Sequence, residues 1–262
     1  MSARFHTVAA AVAWRSLHNA IVNPAILVPS IVFPLFFLIA FAGGLSALGN
    51  APGFAYPPGY TTWQFVFVFF QSAAFGGVFT GFAIARDFES GFARRLLLAA
   101  PRRGGIVAGY ALAALGRWLI TGTVVTIAGF VGGMTIDASA RESVTVIVLA
   151  ALLNLVATLW GCGVAMRLRT EAAGFLIQIP VFIVLFVAPV FVPLDMLTGW
   201  VKAVARINPA TALLEAGRSL LAGSPEKVAL SLALLAIGLL VFAVWARGGL
   251  RSAERAGGAA GG

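Results

Sequence analysis

Six runs of about 20 apolar residues divide the chain, and each can cross the hydrocarbon core of a bilayer as a helix rising 1.5 Å per residue. They extend from about Ile26 to Leu48, from Thr62 to Ala85, between Ile106 and Gly133, from Val144 to Met166, from Ala172 to about Val192, and from Val228 to Ala246. In hydrocarbon every segment must satisfy its own backbone hydrogen bonds. Uninterrupted runs without period-2 alternation therefore exclude a barrel and define an all-α integral membrane protein. Composition agrees: 60% of the residues are hydrophobic and 10% charged, where soluble domains carry about 25% charged residues. Spans on this scale leave almost nothing of 262 residues for a separate soluble domain, so a catalytic domain is expected on another chain.

Orientation follows from the basic residues, counted loop by loop. With both termini inside, the cytoplasmic set is Arg4, Arg15, Arg86, Arg94, Arg95, Arg102, Arg103, Arg167, Arg169, Arg247, Arg251 and Arg255, which is 12. The outer set is Arg141, Lys202, Arg206, Arg218 and Lys227, which is five. The first outer loop, Gly49 to Thr61, carries no charge. The net charge of +9 thus belongs to cytoplasmic loops rather than to a nucleic-acid footprint, and no nucleic-acid partner is expected. Residues 1–25 are expected to form an interfacial helix, with Arg4, Arg15 and His18 in one sector beside Phe5, Val8 and Val12. Ile26 to Leu48 is too long for a signal-peptide core and is followed by an uncharged, Pro-rich stretch, so it is read as a span that stays in the mature protein. Residues 26–246 make the six-span domain, and the cytoplasmic tail 247–262, Gly- and Ala-rich after Arg255, is expected to be disordered.

Three features exceed plain apolar spans. The inner loop 86–105 places Phe88, Phe92 and Leu96 at i, i+4 and i+8 with Arg94 and Arg95 beside them. This spacing predicts one amphipathic helix from about Asp87 to Ala99, stopped by Pro101, with Asp87 and Glu89 in its first turn as the helix dipole prefers. Such a helix lies across the cytoplasmic face and can press into another protein; a solvated basic turn is the alternative. The outer segment 193–227 reads as two short helices, Leu197 to Ile207 and Pro209 to Ala222, broken at Asn208-Pro209 and closed by Gly223. The hairpin either folds back into the membrane and shuts an outer mouth or lies flat on the headgroups, with Trp200 as an interface anchor.

The third feature is polarity inside the spans. Arg117 is the clear ionisable case; it lies about 16 Å along the third run if that helix begins near Ile106. A later start would leave it snorkelling at the cytoplasmic interface, the reading preferred here. Gln71 and Gln178 are isolated amides, and Asn154 and Thr158 share a face of the fourth run. Such groups join helices more often than they handle substrate. Seven phenylalanines crowd the second run (Phe65, Phe67, Phe69, Phe70, Phe75, Phe79, Phe82), too many for one face, so some are expected to meet lipid.

The chain has no phosphate-cradling G-x-x-x-x-G-K-[ST] loop, its two histidines precede the first run, Cys162 is its single cysteine, and no carboxylate lies well inside a run. Nucleotide binding by a P-loop, a histidine-based metal site, an intramembrane Ser/His dyad and carboxylate-driven proton coupling are all disfavoured. No metal site is expected, and the energy source must be external.

Taken together the chain resembles the membrane subunit of ABC-2 type ABC transporters, and within it the daunorubicin-resistance-like efflux permeases. The resemblance covers nearly the whole chain. It rests on Asn23-Pro24 before the first run and Pro34 and Phe41-Ala42-Gly43-Gly44 within it. It rests also on Arg86-Asp87-Phe88-Glu89-Ser90-Gly91 running through Arg94-Arg95-Leu96-Leu97-Leu98 to Pro101-Arg102, and on Arg206-Ile207-Asn208-Pro209 followed by Glu215, Arg218 and Gly223. It implies a bacterial plasma-membrane permease of the type V exporter kind. ATP and Mg would be bound by a separate ATPase, two subunits of which work with a second permease copy or paralogue among membrane lipids. It makes the inner loop a coupling helix, with Asp87, Phe88, Glu89, Gly91, Phe92, Arg94 and Arg95 as coupling residues. The Glu89 and Phe88/Phe92 side would carry the contact and the arginines tune it. It makes the outer segment a re-entrant pair gating through Asn208, Pro209, Glu215 and Arg218. The second and fifth runs would line the pathway, with Phe67, Gln71, Phe75, Arg117, Gln178 and Phe182 as path candidates. The Phe-rich second run favours an amphipathic drug or lipid as cargo. A polysaccharide or teichoic-acid exporter of the same superfamily is the alternative, and a non-transporting scaffold a more distant one.

Overall fold

The computed structural model describes residues 2–100 and 102–258. Among these the chain forms ten α-helices, two short 3-10 turns and no strand. The helices are α1 (Ser2–Val22), α2 (Pro24–Gly44), α3 (Gly59–Glu89), α4 (Phe92–Ala99), α5 (Gly104–Val131), α6 (Ala140–Leu168), α7 (Ala173–Phe186), α8 (Gly199–Ile207), α9 (Pro209–Leu221) and α10 (Val228–Gly258).

Five of them, α2, α3, α5, α6 and α10, are long and apolar enough to cross a bilayer. The expected fifth span is not among them: α7 has 14 residues and ends at Phe186, about 21 Å of helix against a hydrocarbon core of about 30 Å. Pro180 within it and Pro189 and Pro193 after it explain the shortfall, since proline removes a backbone donor and cannot continue a helix.

The bundle is built around α3, which packs against α2, α4, α5, α6, α7 and α9. Its seam with α6 depends on the absence of side chains: a Cβ on Gly77 would meet Thr158 N at 2.5 Å and Ala157 Cβ at 2.7 Å, and one on Gly81 would meet Gly161 Cα at 3.1 Å. This is the small-xxx-small approach by which helices associate where hydrocarbon supplies no hydrophobic drive. With α3 central, Phe65, Phe67, Phe69, Phe70 and Phe75 are all buried and Phe79 and Phe82 half-buried. Five of the seven are therefore buried inside the protein, and only Phe79 and Phe82 keep part of their surface exposed. The most exposed apolar surface lies on outer helices such as α2 and α10.

Two further expectations change. α1 does not merely lie on the interface but packs along α5, burying Ala9 and Val12 and leaving Trp14 exposed; Arg4 lies outside the described side chains. The tail expected to be disordered continues α10 as helix to Gly258, with Ala246, Leu250 and Ala253 buried; residues 259–262 lie outside those described.

Candidate functional site

The inner corner is where sequence and structure differ most. Asp87, Phe88 and Glu89 are not the first turn of an amphipathic helix; they are the last turn of α3. Gly91, at φ +72°, turns the chain before α4 begins at Phe92. That left-handed conformation costs a residue with a Cβ about 1–2 kcal/mol, which is why glycine stands there. The acidic pair therefore sits at the negative end of a dipole, and its stabilisation comes from specific partners instead.

Asp87 receives Arg15 in a fork, Nη1 to Oδ2 at 3.0 Å and Nη2 to Oδ1 at 2.9 Å, and Tyr110 Oη donates to Oδ2 at 2.6 Å. Three helices thus meet at one carboxylate. The hydrogen bond to Asp87 is the main cause that raises the Arg15 guanidinium above its ordinary pKa. The same guanidinium lies 3.5 Å over the Phe92 ring, tying α4 to the cluster. Glu89 Oε1 accepts from Thr170 Oγ1 at 2.8 Å and from Glu171 N at 2.7 Å, while Arg86 Nε donates to Glu171 at 3.0 Å. The end of α3 is thereby stitched to the second inner loop.

These contacts reverse the expected assignment of faces on α4. Phe88 is buried, Phe92 is half-buried under Arg15, and Ala93 and Leu97 point into the bundle. The side left free carries Arg94, Arg95 and Leu98, the last 78% exposed. Pro101, expected to stop the helix, lies outside the described residues; α4 ends at Ala99.

Deeper in the bundle the phenylalanines form a column shared by α2, α3 and α7. Phe75 meets Phe182 edge-to-face at 4.9 Å and Phe33 at a tilt at 5.3 Å, while Phe186 meets Phe182 at 5.2 Å, Phe67 at 5.3 Å and Phe37 at 5.6 Å between centroids. Of the path candidates, Phe67, Phe75 and Phe182 are thus brought together. Gln71 lies between Phe67 and Phe75 on the same face of α3, fully buried, and neither amide atom has a partner. Gln178 is half-buried one turn before Phe182.

Arg117 does not snorkel. It is the fourteenth residue of the 28 in α5 and 3% exposed, and its Nη2 donates to Gly76 O at 3.3 Å and to Thr80 Oγ1 on α3. The helix begins at Gly104, and one carbonyl and one hydroxyl of α3, rather than headgroups, receive it.

At the outer end, Asn208 caps α9 by accepting from Ala210 N at 2.9 Å and donates to Val184 O at 2.6 Å, with Pro209 in the first helical position. Arg218 is 3% exposed; it donates to Pro189 O at 2.7 Å and Val190 O at 3.0 Å and lies 3.4 Å over the Trp63 ring. Glu215 pairs with Lys227 at 2.6 Å. The expected break at Asn208 is present. Arg218 serves as the bolt between α9, α3 and the irregular strand of chain after α7, while Glu215 only closes the local turn.

The sequence matches the family described as ABC-2 type transporter over residues 7–222. The chain belongs to that family. No curated protein matches it. An ABC-2 permease is a membrane transport component that works with an ABC ATPase, and this chain is accordingly a multi-pass membrane permease component of such a transporter.

Several residues of this permease escaped the sequence. Arg15 counted towards topology and the basic sector of the N-terminal helix, and nothing in a linear reading joins it to Asp87, 72 positions away. Tyr110, Thr170, Glu171 and Trp63 carry no motif signal at all. A mostly apolar cavity of about 330 Å³ between α6, α7, α9 and α10, walled by Trp160, Val184, Leu213 and Phe242 among others, was equally invisible.

Proposed function

We propose that this permease moves an amphipathic drug or lipid-like substrate out of the cytoplasm or inner leaflet, driven by two copies of a separate ATPase and paired with a second permease. Both termini and the 86–105 loop lie in the cytoplasm in this reading, which the basic-residue bias supports. The observation that carries it is the Asp87 cluster. α4 offers a basic, partly apolar outer side to a partner, while its inner side is tied through Phe92, Arg15, Asp87 and Tyr110 to α1, α3 and α5. A push on α4 by closing ATPase subunits is then delivered to the central helix of the bundle rather than absorbed by a loose loop.

The cargo class rests on the aromatic column, whose rings outnumber its two amides, Gln71 and Gln178, along α3 and α7 and so favour an apolar molecular body over a sugar polymer. The test is reconstitution in liposomes with and without the partner ATPase. The permease alone should hydrolyse no ATP; with the partner, ATP should drive export of amphiphiles, and those amphiphiles should change the ATPase rate. ATP turnover by the permease alone, free of contaminating ATPase, would sink the reading, as would export of polysaccharide with no response to amphiphiles.

A further inference from the structure

Arg117 is a permanent cation near the middle of a membrane-spanning helix, and among the described residues no carboxylate pairs with it. Ionisable groups at that depth are costly and normally paired, or they serve a pathway. Its Nη2 uses two neutral acceptors on α3, but its Nε is buried without an acceptor, and so is Nε1 of the adjacent Trp118. A buried donor left unmet costs about 1–3 kcal/mol. Both residues wall one recess, together with Ser30, Ser72 and Thr121, and its remaining wall residues are Gly76 and Phe79. The Ser30, Ser72 and Thr121 hydroxyls already donate to Leu27 O, Phe69 O and Arg117 O, so the two unmet donors, one of them charged and with no acidic group in the wall, are what describe a receptor for a negative charge.

The recess also has a direction. Of its walls, Gly76 and Phe79 are the ones that keep part of their surface exposed. Phe79 lies at a tilt 6.1 Å from Phe75, a ring of the aromatic column. A molecule with its head at Arg117 would lay its apolar body along those rings. As it stands the recess has about 10 Å³ of free space, about enough for one small atom group. The wall that can yield is α2, which contributes Ser30, carries Pro29 and Pro34 within its helix, and buries only 11% of its span inside the protein.

We propose that Arg117 and Trp118 bind the anionic head of an amphiphilic substrate that enters past α2 from the bilayer and lies along Phe79 and Phe75. This deepens the transport reading above, on which it rests: the cargo is an anionic amphiphile, whether a free carboxylic acid or an anionic phospholipid.

The test is binding of brominated amphiphiles to the full-length permease in phosphatidylcholine nanodiscs, read as quenching of tryptophan fluorescence at about pH 8.5, where a carboxylate is ionised. Bromoundecanoate, bromoundecanol and a bromoundecyl trimethylammonium are compared. A second arm replaces them with brominated phosphatidylglycerol or brominated phosphatidylcholine. The wild type should bind the carboxylate in preference to the cation, and Arg117→Gln should weaken carboxylate binding about tenfold while leaving the alcohol unchanged; Arg117→Lys should retain the preference. Selectivity confined to the first arm identifies a free amphiphile, and selectivity in the second identifies a lipid headgroup; both support the proposal. Equal binding of anion and cation by the wild type overturns it, even if no variant folds. So does an Arg117→Gln protein that is folded and keeps full carboxylate affinity. Export is read separately with the ATPase: anion-selective binding without ATP-driven movement would overturn the transport reading alone, and export without head selectivity would overturn this inference alone.

Discussion

At the scale of single residues, the inner corner depends on two atoms' worth of geometry at Gly91 and one carboxylate at Asp87. A Cβ at Gly91 would meet nothing within 4 Å, so substitution there acts through the backbone alone. Gly91→Asn, which tolerates the left-handed region, should leave export near wild type. Gly91→Ala should cost about 1–2 kcal/mol, and Gly91→Pro, locked near φ −65°, should abolish communication with the ATPase while the protein still inserts. Export and substrate-stimulated ATP hydrolysis, measured across the three, check the order; a proline variant that works as well as wild type would contradict the turn. Asp87→Asn keeps the shape but removes the charge that Arg15 and Tyr110 both address. Given the partial exposure of the pair, a loss of about 1–2 kcal/mol is expected, read as a lowered Tm in detergent. Arg15→Met combined with Asp87→Asn should cost less than the sum of the single changes, because the second loss removes a partner already gone.

Among the elements, α4 carries the correction with the widest consequence. The apolar repeat of Phe88, Phe92 and Leu96 was legible in the sequence, although Phe88 closes α3 and only the other two belong to α4. The direction of that face was not, since periodicity says that one side is apolar but not whether it greets a partner or the protein's own bundle. Burial of Ala93 and Leu97 turns that side of α4 to the bundle. The contact with an ATPase is therefore expected from Arg94, Arg95 and Leu98, and the double change Arg94→Glu with Arg95→Glu should reduce copurification of the ATPase and export by at least about tenfold without lowering membrane insertion. If instead Phe92→Ala, but not this charge reversal, released the ATPase, the assignment of faces would be wrong. The outer hairpin was better read. Asn208 caps and Pro209 starts a helix whatever surrounds them, so local chemistry sufficed. Arg117 went the other way, because whether a cation snorkels depends on where its helix begins, and a run of apolar letters does not mark that boundary.

For the whole molecule, the order of the helices follows from apolar runs, and glycine seams let them pack closely. Replacing Gly77 by Leu should separate α3 from α6 and destabilise the bundle more than Gly43→Leu, whose site is open; thermal unfolding of the two variants decides. Topology is checked with single cysteines in a Cys162→Ala background. Impermeant maleimide applied to intact cells should label Ala51→Cys and not Ser90→Cys, and the opposite pattern would invert the arrangement. The short α7 has a further consequence. A helix of about 21 Å cannot match a slab of about 30 Å, so the leaflet beside its outer end has to pinch inward, or the irregular chain after Phe186 must be shielded by α9. The permease should then feel the thickness of its host membrane as a mechanical load. Turnover should rise in bilayers of shorter acyl chains, which relieve that pinch, and fall in thicker ones, so that lipid length acts as a throttle on a transporter whose chemistry it never touches.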